Sequence, residues 1–418
     1  METGDSGALR ILVLVPFAPR LDSPHGGRAT AEFLVRLARR HELGLLCLRD
    51  AGEAPSEEAL QEVCAFVEEV ELPERAENGA AATLRRLRLL SQLLRSVPMQ
   101  AVDWGTSAYA RRLRAAASSF EPDVVHLEPF AMAQYLDVLD DCAAPRVVVE
   151  HEPVVQAAFD VVHSSRGVEK IVRRLDLRAW KRFERVAMQR VDAVVALTEP
   201  DRQVIAQEAQ GRRVVQIPLG VQIPDVPLDP IGTSPPSLLF VGGFGHPPNV
   251  DAGLRLAHGI LPRVWERRAE VVLYLVGDLP PEGIRELAND RLVVTGRVPD
   301  VRPFLDRAAV VVAPLRLGGG MRNKVLEALA AGKAVVASPR AAAGLDVTDG
   351  EQLRLADEDA EFAVAIVELL ENAERRRELA ARARAWAEAS LGWDDRVAAF
   401  EALYRSLSRG SAPMGRSR

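Results

Sequence analysis

The chain lacks a cysteine framework: Cys47, Cys64 and Cys142 are the only three cysteines in 418 residues, odd in number and far apart. That spacing supports neither a disulfide scaffold nor a paired-cysteine zinc site, and it fits a reducing compartment. Long apolar runs are missing too, since nothing approaches the roughly 18 uninterrupted apolar residues of a membrane span. The early "ILVLVPFAP" is short, contains prolines and follows an acidic leader with no basic segment, so it reads as a buried strand rather than an export signal. A cytoplasmic protein is expected. There is no basic excess either: the formal charge of -6 argues against a general nucleic-acid binder. What remains is 48% hydrophobic and 27% charged residues, a globular composition, in a length that suggests two domains at roughly 150 residues each.

Apolar residues do occur in short, regularly spaced pieces. "RILVLVPFAP", "LGLLCL", "PDVVHLEP", "PRVVVEHEP" and "VDAVVALTE" are aliphatic stretches bounded by turn residues, the mark of strands buried on both faces of a parallel sheet. Helical or loop segments separate them, such as "RATAEFLVRLARR" with Phe33, Leu34 and Leu37 at helical spacing. Residues 8–222 are therefore expected to form one doubly wound unit, with ligands at the carboxyl ends of its strands. Proline, glycine and aspartate cluster between Gly220 and Ser237, which reads as a linker. The alternation then restarts over residues 237–391 with "SLLFVGG", "VVLYLVGD", "RLVVTG", "AAVVVAP" and "KAVVAS". The expected fold is α/β, two Rossmann-like doubly wound domains facing each other across a cleft. A last helix over 392–408, with Val397, Phe400, Leu403 and Tyr404 on one stripe, is expected to pack back toward the first domain.

One stretch carries chemistry of its own. In "GGGMRNKVLEALAAGKAVVAS", Gly318 to Ser338, three glycines allow close approach of backbone to a ligand, and a helix expected over Met321–Ala331 begins with amides that have no intrahelical partner. That is an anion site. Arg322 and Lys324 fall in the first turn, where the macrodipole disfavours a cation by roughly 0.3–1 kcal/mol. A bound phosphate reverses that sign, whereas two solvated surface cations need no ligand. Glu327 lies one turn beyond Lys324 on nearly the same face; its carboxylate can accept two ribose hydroxyls or pair with Lys324, and periodicity does not separate the two. Gly332 is the expected left-handed stop.

The blocks "LFVGGFGHPPNVDA", "LYLVGD", "VVTGRVPDVRPFLDRAAVVVAPLRLGGGMRNKVLEALAAGKAVVAS", "GLDVTDG" and "YRSL", in that order, resemble glycosyltransferase family 4 (glycosyl transferases group 1), nucleotide-sugar enzymes of GT-B architecture. The resemblance implies a nucleoside diphosphate sugar as co-substrate, held mainly by the second domain. It also implies transfer to an acceptor hydroxyl, usually with retention, in glycan, glycolipid or metabolite biosynthesis, and no required metal or other cofactor. Glu327 would bind the ribose, Arg322 and Lys324 would face the diphosphate, and Gly319, Gly320 and Met321 would line the donor. Gly319 stands where many members carry the first of two glutamates, so a contact to the donor sugar is missing or is supplied by backbone amides; some branches share this glycine-rich form. Gly243 and Asn249 match a strand-to-helix turn beside the donor, and Arg297 and Val298 match the segment that reads the base. Gly243 and Gly245 also resemble the start of a dinucleotide fingerprint, but two prolines follow and no third glycine arrives, which argues against NAD.

In the first domain, Gly26 and Gly27 match the glycine pair that opens the first helix, either meeting phosphates or acceptor through their amides or only permitting a tight turn. His25 precedes them. "VVVEHEP" sets Glu150, His151 and Glu152 at a strand's carboxyl end, where His151 could bond a sugar hydroxyl or assist proton movement and flanking carboxylates would favour its charged form. Glu128 in "VVHLEPF" is a similar strand-end residue on the acceptor side. From Arg166 to Arg190, nine Lys or Arg stand against Glu169, Asp176 and Glu184, interspersed with Ile171, Val172, Leu175, Trp180 and Phe183. This basic amphipathic helix either touches anionic lipid as a peripheral contact or packs with its basic face in water. Two further readings stay open: a GT-B-like nucleotide-sugar epimerase, and a nucleotide-sugar-binding protein without turnover.

Overall fold

The computed structural model describes residues 7–21, 26–73, 79–209, 211–320 and 322–410. Predicted-site residue Met321, and His25 before the glycine pair, lie outside the described residues. The chain divides into two compact units, Met1–Pro218 with Asp395–Arg418, and Leu219–Asp394.

The first unit is built on seven parallel strands: β1 (Arg10–Val15), β2 (Glu42–Arg49), β3 (Phe66–Glu71), β4 (Val124–Leu127), β5 (Arg146–Glu150), β6 (Ala193–Ala196) and β7 (Arg213–Gln216). Their order is β3-β2-β1-β4-β5-β6-β7. The strand reversal between β2 and β4 about β1 is a topological switch point, where loops leaving adjacent strands diverge and open a crevice. Gly26 and Gly27, which begin the helix Gly26–Ala38 after β1, and Glu128, directly after β4, both stand at that switch. Residues Ile11 to Val15 of β1 are completely buried, as a strand with helices over both faces requires.

The second unit repeats the plan with β8 (Ser237–Val241), β9 (Val272–Val276), β10 (Leu292–Gly296), β11 (Val310–Ala313), β12 (Val335–Ala337) and β13 (Arg354–Leu355), in the order β10-β9-β8-β11-β12-β13. Here the switch lies between β8 and β11. Gly242 and Gly243 follow the first of these strands and the loop to Gly320 follows the second.

Three observations refine the expectations. The segment expected as a linker is laid on the second unit: the Leu228 amide donates to the Ala331 carbonyl at 2.9 Å, Arg384 donates to the Pro224 carbonyl at 2.5 Å, and the buried Lys333 ammonium binds the carbonyls of Asp229 and Asp306. The last helix, Trp393–Gly410, belongs to the first unit from Asp395 onward; its Phe400 and Tyr404 are fully buried, and the Phe400 ring lies tilted against Phe33 at 4.6 Å. In the basic helix Gly167–Met188, Trp180 is buried and the partly buried Phe183 packs against it edge-on at 5.7 Å, so both aromatics are turned to the first unit's core. Val168 and Ile171 are exposed instead, at 77% and 59%. Among the described residues no helix is long and apolar enough to cross a membrane.

Candidate functional site

In the second unit the glycine loop uses its glycines as backbone hinges. Gly318 has φ 90° and Gly320 has φ 74°, a region closed to most side chains, and a Cβ on Gly318 would stand 3.2 Å from the Pro248 ring. The loop is thereby pressed against the start of the helix Pro247–Arg255 that follows β8. The helix after the loop runs Asn323–Ala330, two residues later than Met321, and Gly332 takes the left-handed conformation (φ 74°) expected of its stop. Arg322 is consequently the N-cap rather than a first-turn residue, because its ψ of 69° lies outside the helical region. Its guanidinium turns back onto the loop, donating to the carbonyls of Gly318 (2.5 Å) and Gly319, while Arg340 donates to the same Gly318 oxygen at 2.8 Å. Two cations therefore hold the loop's carbonyls down, which no feature of the sequence announced for Arg340.

Lys324 is in the first turn, half-buried. Its ammonium donates to Asn249 Oδ1 at 2.5 Å and lies 4.5 Å from the centre of the Phe240 ring, while Asn249 Nδ2 donates to the Gly243 carbonyl at 2.8 Å. A Cβ on Gly242 would sit within 2.9 Å of both Asn249 and the lysine nitrogen, so only glycine admits this approach. Burial pushes the lysine down to about 7, the Arg322 charge adds to the effect, and Glu327 partly opposes it. Gly243, Asn249 and Lys324 thus form one bonded chain across the switch point, with Glu327 half-buried one turn further along the helix. Arg297 and Val298 follow β10, outside this chain of bonds; Arg297 is exposed and Val298 packs on the unit's core. Gly319 and Gly320 are half-buried in the loop.

In the first unit two of the predicted positions, Glu128 and His151, meet at one carboxylate, which the helix begun by the glycine pair reaches through Thr30. Glu128 is 1% exposed; its Oε1 lies 2.6 Å from His151 Nε2 and accepts from the Thr30 hydroxyl at 2.7 Å, and its Oε2 lies 3.3 Å from His126 Nε2. Thr30 is one turn into the helix begun by Gly26 and the buried Gly27, so the glycine pair, Glu128 and His151 share one place. Burial alone would raise the Glu128 carboxyl, but the bonds from His126 and His151 and their charge hold it well below the usual carboxylate range. For His151, burial pulls down, yet the Glu128 bond and charge, with Glu152, raise it above an ordinary histidine. Glu150 takes no part: its carboxylate turns to the Val154 amide at 2.9 Å, and burial together with the Glu184 charge raises it well above the ordinary range.

His126, Thr30 and Tyr404, whose hydroxyl lies 2.6 Å from His126 Nδ1, were not anticipated. The sequence did contain a signal for His126: it stands two positions before Glu128, and strand periodicity puts both on one face. Among the described residues no group of three or more His, Cys, Asp or Glu is placed to hold a metal ion.

Comparison with known proteins follows the same division of the chain. Residues 26–223 match the family described as Glycosyltransferase Family 4, and residues 235–372 match Glycosyl transferases group 1. A phosphatidyl-myo-inositol mannosyltransferase of Mycolicibacterium smegmatis is 34% identical over 187 residues, 42% of this chain. The matched part spans about half of that relative, 48% of its length. Among solved structures, a sucrose-phosphate synthase from Thermosynechococcus elongatus superimposes with a TM-score of 0.69 at 14% identity, over 96% of this chain and 100% of the other. HepE from Anabaena in complex with UDP and glucose gives 0.66 at 16% identity, over 96% and 100%. The two family matches, each falling on one switch-point sheet, place the chain in glycosyltransferase family 4, with the GT-B fold.

Proposed function

We propose that the protein transfers a sugar from a nucleoside diphosphate sugar to an acceptor hydroxyl. The observation that carries this reading is Lys324: a half-buried ammonium in the first turn of the helix that follows the switch-point glycine loop, whose hydrogen-bond acceptor Asn249 and ring neighbour Phe240 are uncharged. A cation so placed gains most from an anion, and the nearby amides of the first helical turn add to that preference. In the proposed mechanism the diphosphate lies over the glycine loop, Gly319 and Gly320 offer backbone in place of a side chain, and Glu327 accepts the ribose hydroxyls. Arg297 and Val298 border the base, and Gly243 closes the donor from the β8 side. As the glycosidic bond breaks, Lys324 and Arg322 stabilise the negative charge that builds on the departing diphosphate, a task that requires no metal or other cofactor. The acceptor is held by the first unit, with Gly26 and Gly27 supplying amides and His151 bonding the reacting hydroxyl. Retention follows if a donor phosphate oxygen takes the acceptor proton on the same face.

The complexes of HepE with UDP and with UDP-glucose support a nucleotide-sugar donor for this fold. The test is a thermal-shift screen of UDP, GDP, ADP, CDP and dTDP and their sugars, followed by product analysis with and without acceptor in the presence of EDTA. Binding with acceptor-dependent product supports the reading; no shift with any nucleotide overturns the donor site. Product formed without acceptor favours the epimerase, and binding without product favours a protein that has lost turnover. The exposed Val168 and Ile171, beside the basic residues of Gly167–Met188, support peripheral contact with an anionic membrane from a cytoplasmic location, which vesicle co-sedimentation checks.

A further inference from the structure

The first unit contains a buried polar chain that begins on the last helix and ends at His151. Tyr404 and His126 are 0% exposed and Glu128 is 1% exposed. An ionised carboxylate only accepts, so each of its neighbours must donate. His126 therefore carries its proton on Nε2, facing Glu128 at 3.3 Å. Its Nδ1, in the neutral ring, accepts, and the Tyr404 hydroxyl donates to it at 2.6 Å. His151 likewise holds a proton on Nε2 toward Glu128 at 2.6 Å, which leaves Nδ1, in a side chain 28% exposed, as the ring atom that gains or loses the titrating proton. Thr30 fills the remaining position on Oε1 at 2.7 Å. With the rings neutral this is the one consistent set of roles, since a second proton on His126 would turn the Tyr404 hydroxyl from donor to acceptor.

Packing alone does not call for this arrangement. Phe33, Phe400 and the rings of His126 and Tyr404 already form an aromatic cluster, with centroids 4.6–6.2 Å apart. Well-packed apolar replacements for buried ionic groups are often neutral or stabilising. We propose that Tyr404, His126 and Glu128 are a positioning relay that fixes the tautomer and ring plane of His151, so that Nδ1 is the atom presented to the acceptor hydroxyl. Its last clause rests on the acceptor-side reading above. Tyr404 and His126 touch no substrate in this scheme; they act through Glu128. The groups facing Glu128 are Thr30 from the helix Gly26–Ala38, His126 from its own strand and His151 from the end of β5, with Tyr404 behind His126 and Glu152 acting on His151 from its own segment.

The two ends of the relay predict opposite signs. Glu128→Gln keeps the shape and removes the charge, so the titration midpoint of His151 falls by about one unit or more. Tyr404→Phe keeps the ring and removes the donor to His126; His126 then bonds Glu128 less strongly, more of the carboxylate's charge is left to His151, and its midpoint rises by a few tenths of a unit. The experiment follows the His126 and His151 imidazole nitrogens by 15N NMR across pH in the full chain, with melting temperature and the transfer kcat and donor KM measured alongside. Expected are midpoints displaced in opposite directions, a kcat at least threefold lower in Tyr404→Phe and an unchanged donor KM. A Tyr404→Phe protein that melts earlier but leaves the His126 tautomer and the His151 midpoint as in wild type overturns the relay, as does a folded Glu128→Gln protein with an unmoved midpoint. If wild type shows no transfer while the midpoints still move in opposite directions, the relay stands and the acceptor-side reading fails.

Discussion

Donor binding should take up a proton, and Lys324 sets how much. In the free protein its ammonium titrates at about 7, pushed down by burial and by Arg322. A bound diphosphate would restore it toward the 10.4 or so of an unburied lysine, because the opposite charge favours the protonated form. At pH 8 the free site then holds about 0.1 proton and the bound site about 1.0, so binding takes up about 0.9; at pH 6 the uptake is about 0.1. The same linkage makes binding about tenfold weaker at pH 8 than at pH 6, about 1.4 kcal/mol. UDP-glucose is the probe of choice because its diphosphate, esterified at both ends, has no ionisation of its own near neutrality, unlike UDP. Isothermal titration calorimetry at pH 8 in two buffers of different ionisation enthalpy measures the uptake directly, and Lys324→Met should abolish both the uptake and the pH dependence. UDP-glucose that binds at pH 8 with no buffer-dependent heat would refute the reasoning, since the lysine would then not meet the phosphates.

Glu327→Ala should weaken nucleotide binding by about tenfold or more by calorimetry, the loss of a charge-assisted pair of bonds, whereas Glu128→Ala should leave it within about twofold. Equal losses would reject the ribose role. Gly318→Ala must hold alanine at φ 90° against Pro248, at a cost of about 1–2 kcal/mol, and should raise the nucleotide Kd about fivefold or more. Lys333→Ala leaves the carbonyls of Asp229 and Asp306 without their donor and opens a cavity; a loss of about 2–4 kcal/mol should lower the melting temperature by about 5–10 °C. Lys333 also predicts a pH trend: burial pushes it down to about 8, so above that value the unfolded chain holds a proton that the native state does not. Stability contributed at this site therefore rises from about pH 8 to about 10.4, and urea titrations of Lys333→Met should lack that rise.

The sheets show what sequence patterning can carry. β3, β7 and β13 were not anticipated, and all three are edge strands. "FVEEVE" in β3 and "RVVQ" in β7 have only partial burial, because an edge strand has one neighbour and tolerates polar residues on its open side. The interior strands are covered by helices and had to be continuous apolar runs, so they were legible, and the fourth edge strand, β10, was legible because "RLVVTG" keeps a short apolar run. The same limit applies at the site. Glycines, a helix start and two cations are local features, and they located the loop before Asn323. That Lys324 would rest on Asn249 and Phe240, or that Tyr404 would reach His126 from 278 positions away, depends on contacts no local pattern encodes.

Desolvation is the part of the chemistry that sequence hides most completely, and two glutamates make the point. Glu128 and Glu150 each stand at or just beyond the carboxyl end of a central strand, each is 1% exposed, and each is preceded by a run of valine, leucine or histidine that gives no hint of difference. Their proton states diverge. Glu128 has three side-chain donors, two of them histidines, and its carboxyl is held below the ordinary range in spite of burial. Glu150 accepts the Val154 amide on one oxygen, its other oxygen has no hydrogen-bond partner among the described residues, and burial with the Glu184 charge raises it well above the ordinary range. The first therefore stays an anion able to orient His151 through neutral pH, while the second is driven toward the protonated form and serves the start of a helix. The number of donors that tertiary structure brings to a buried carboxylate decides whether it remains a charge, and that number is what made Glu128, rather than its neighbour in kind, the centre of the acceptor-side cluster.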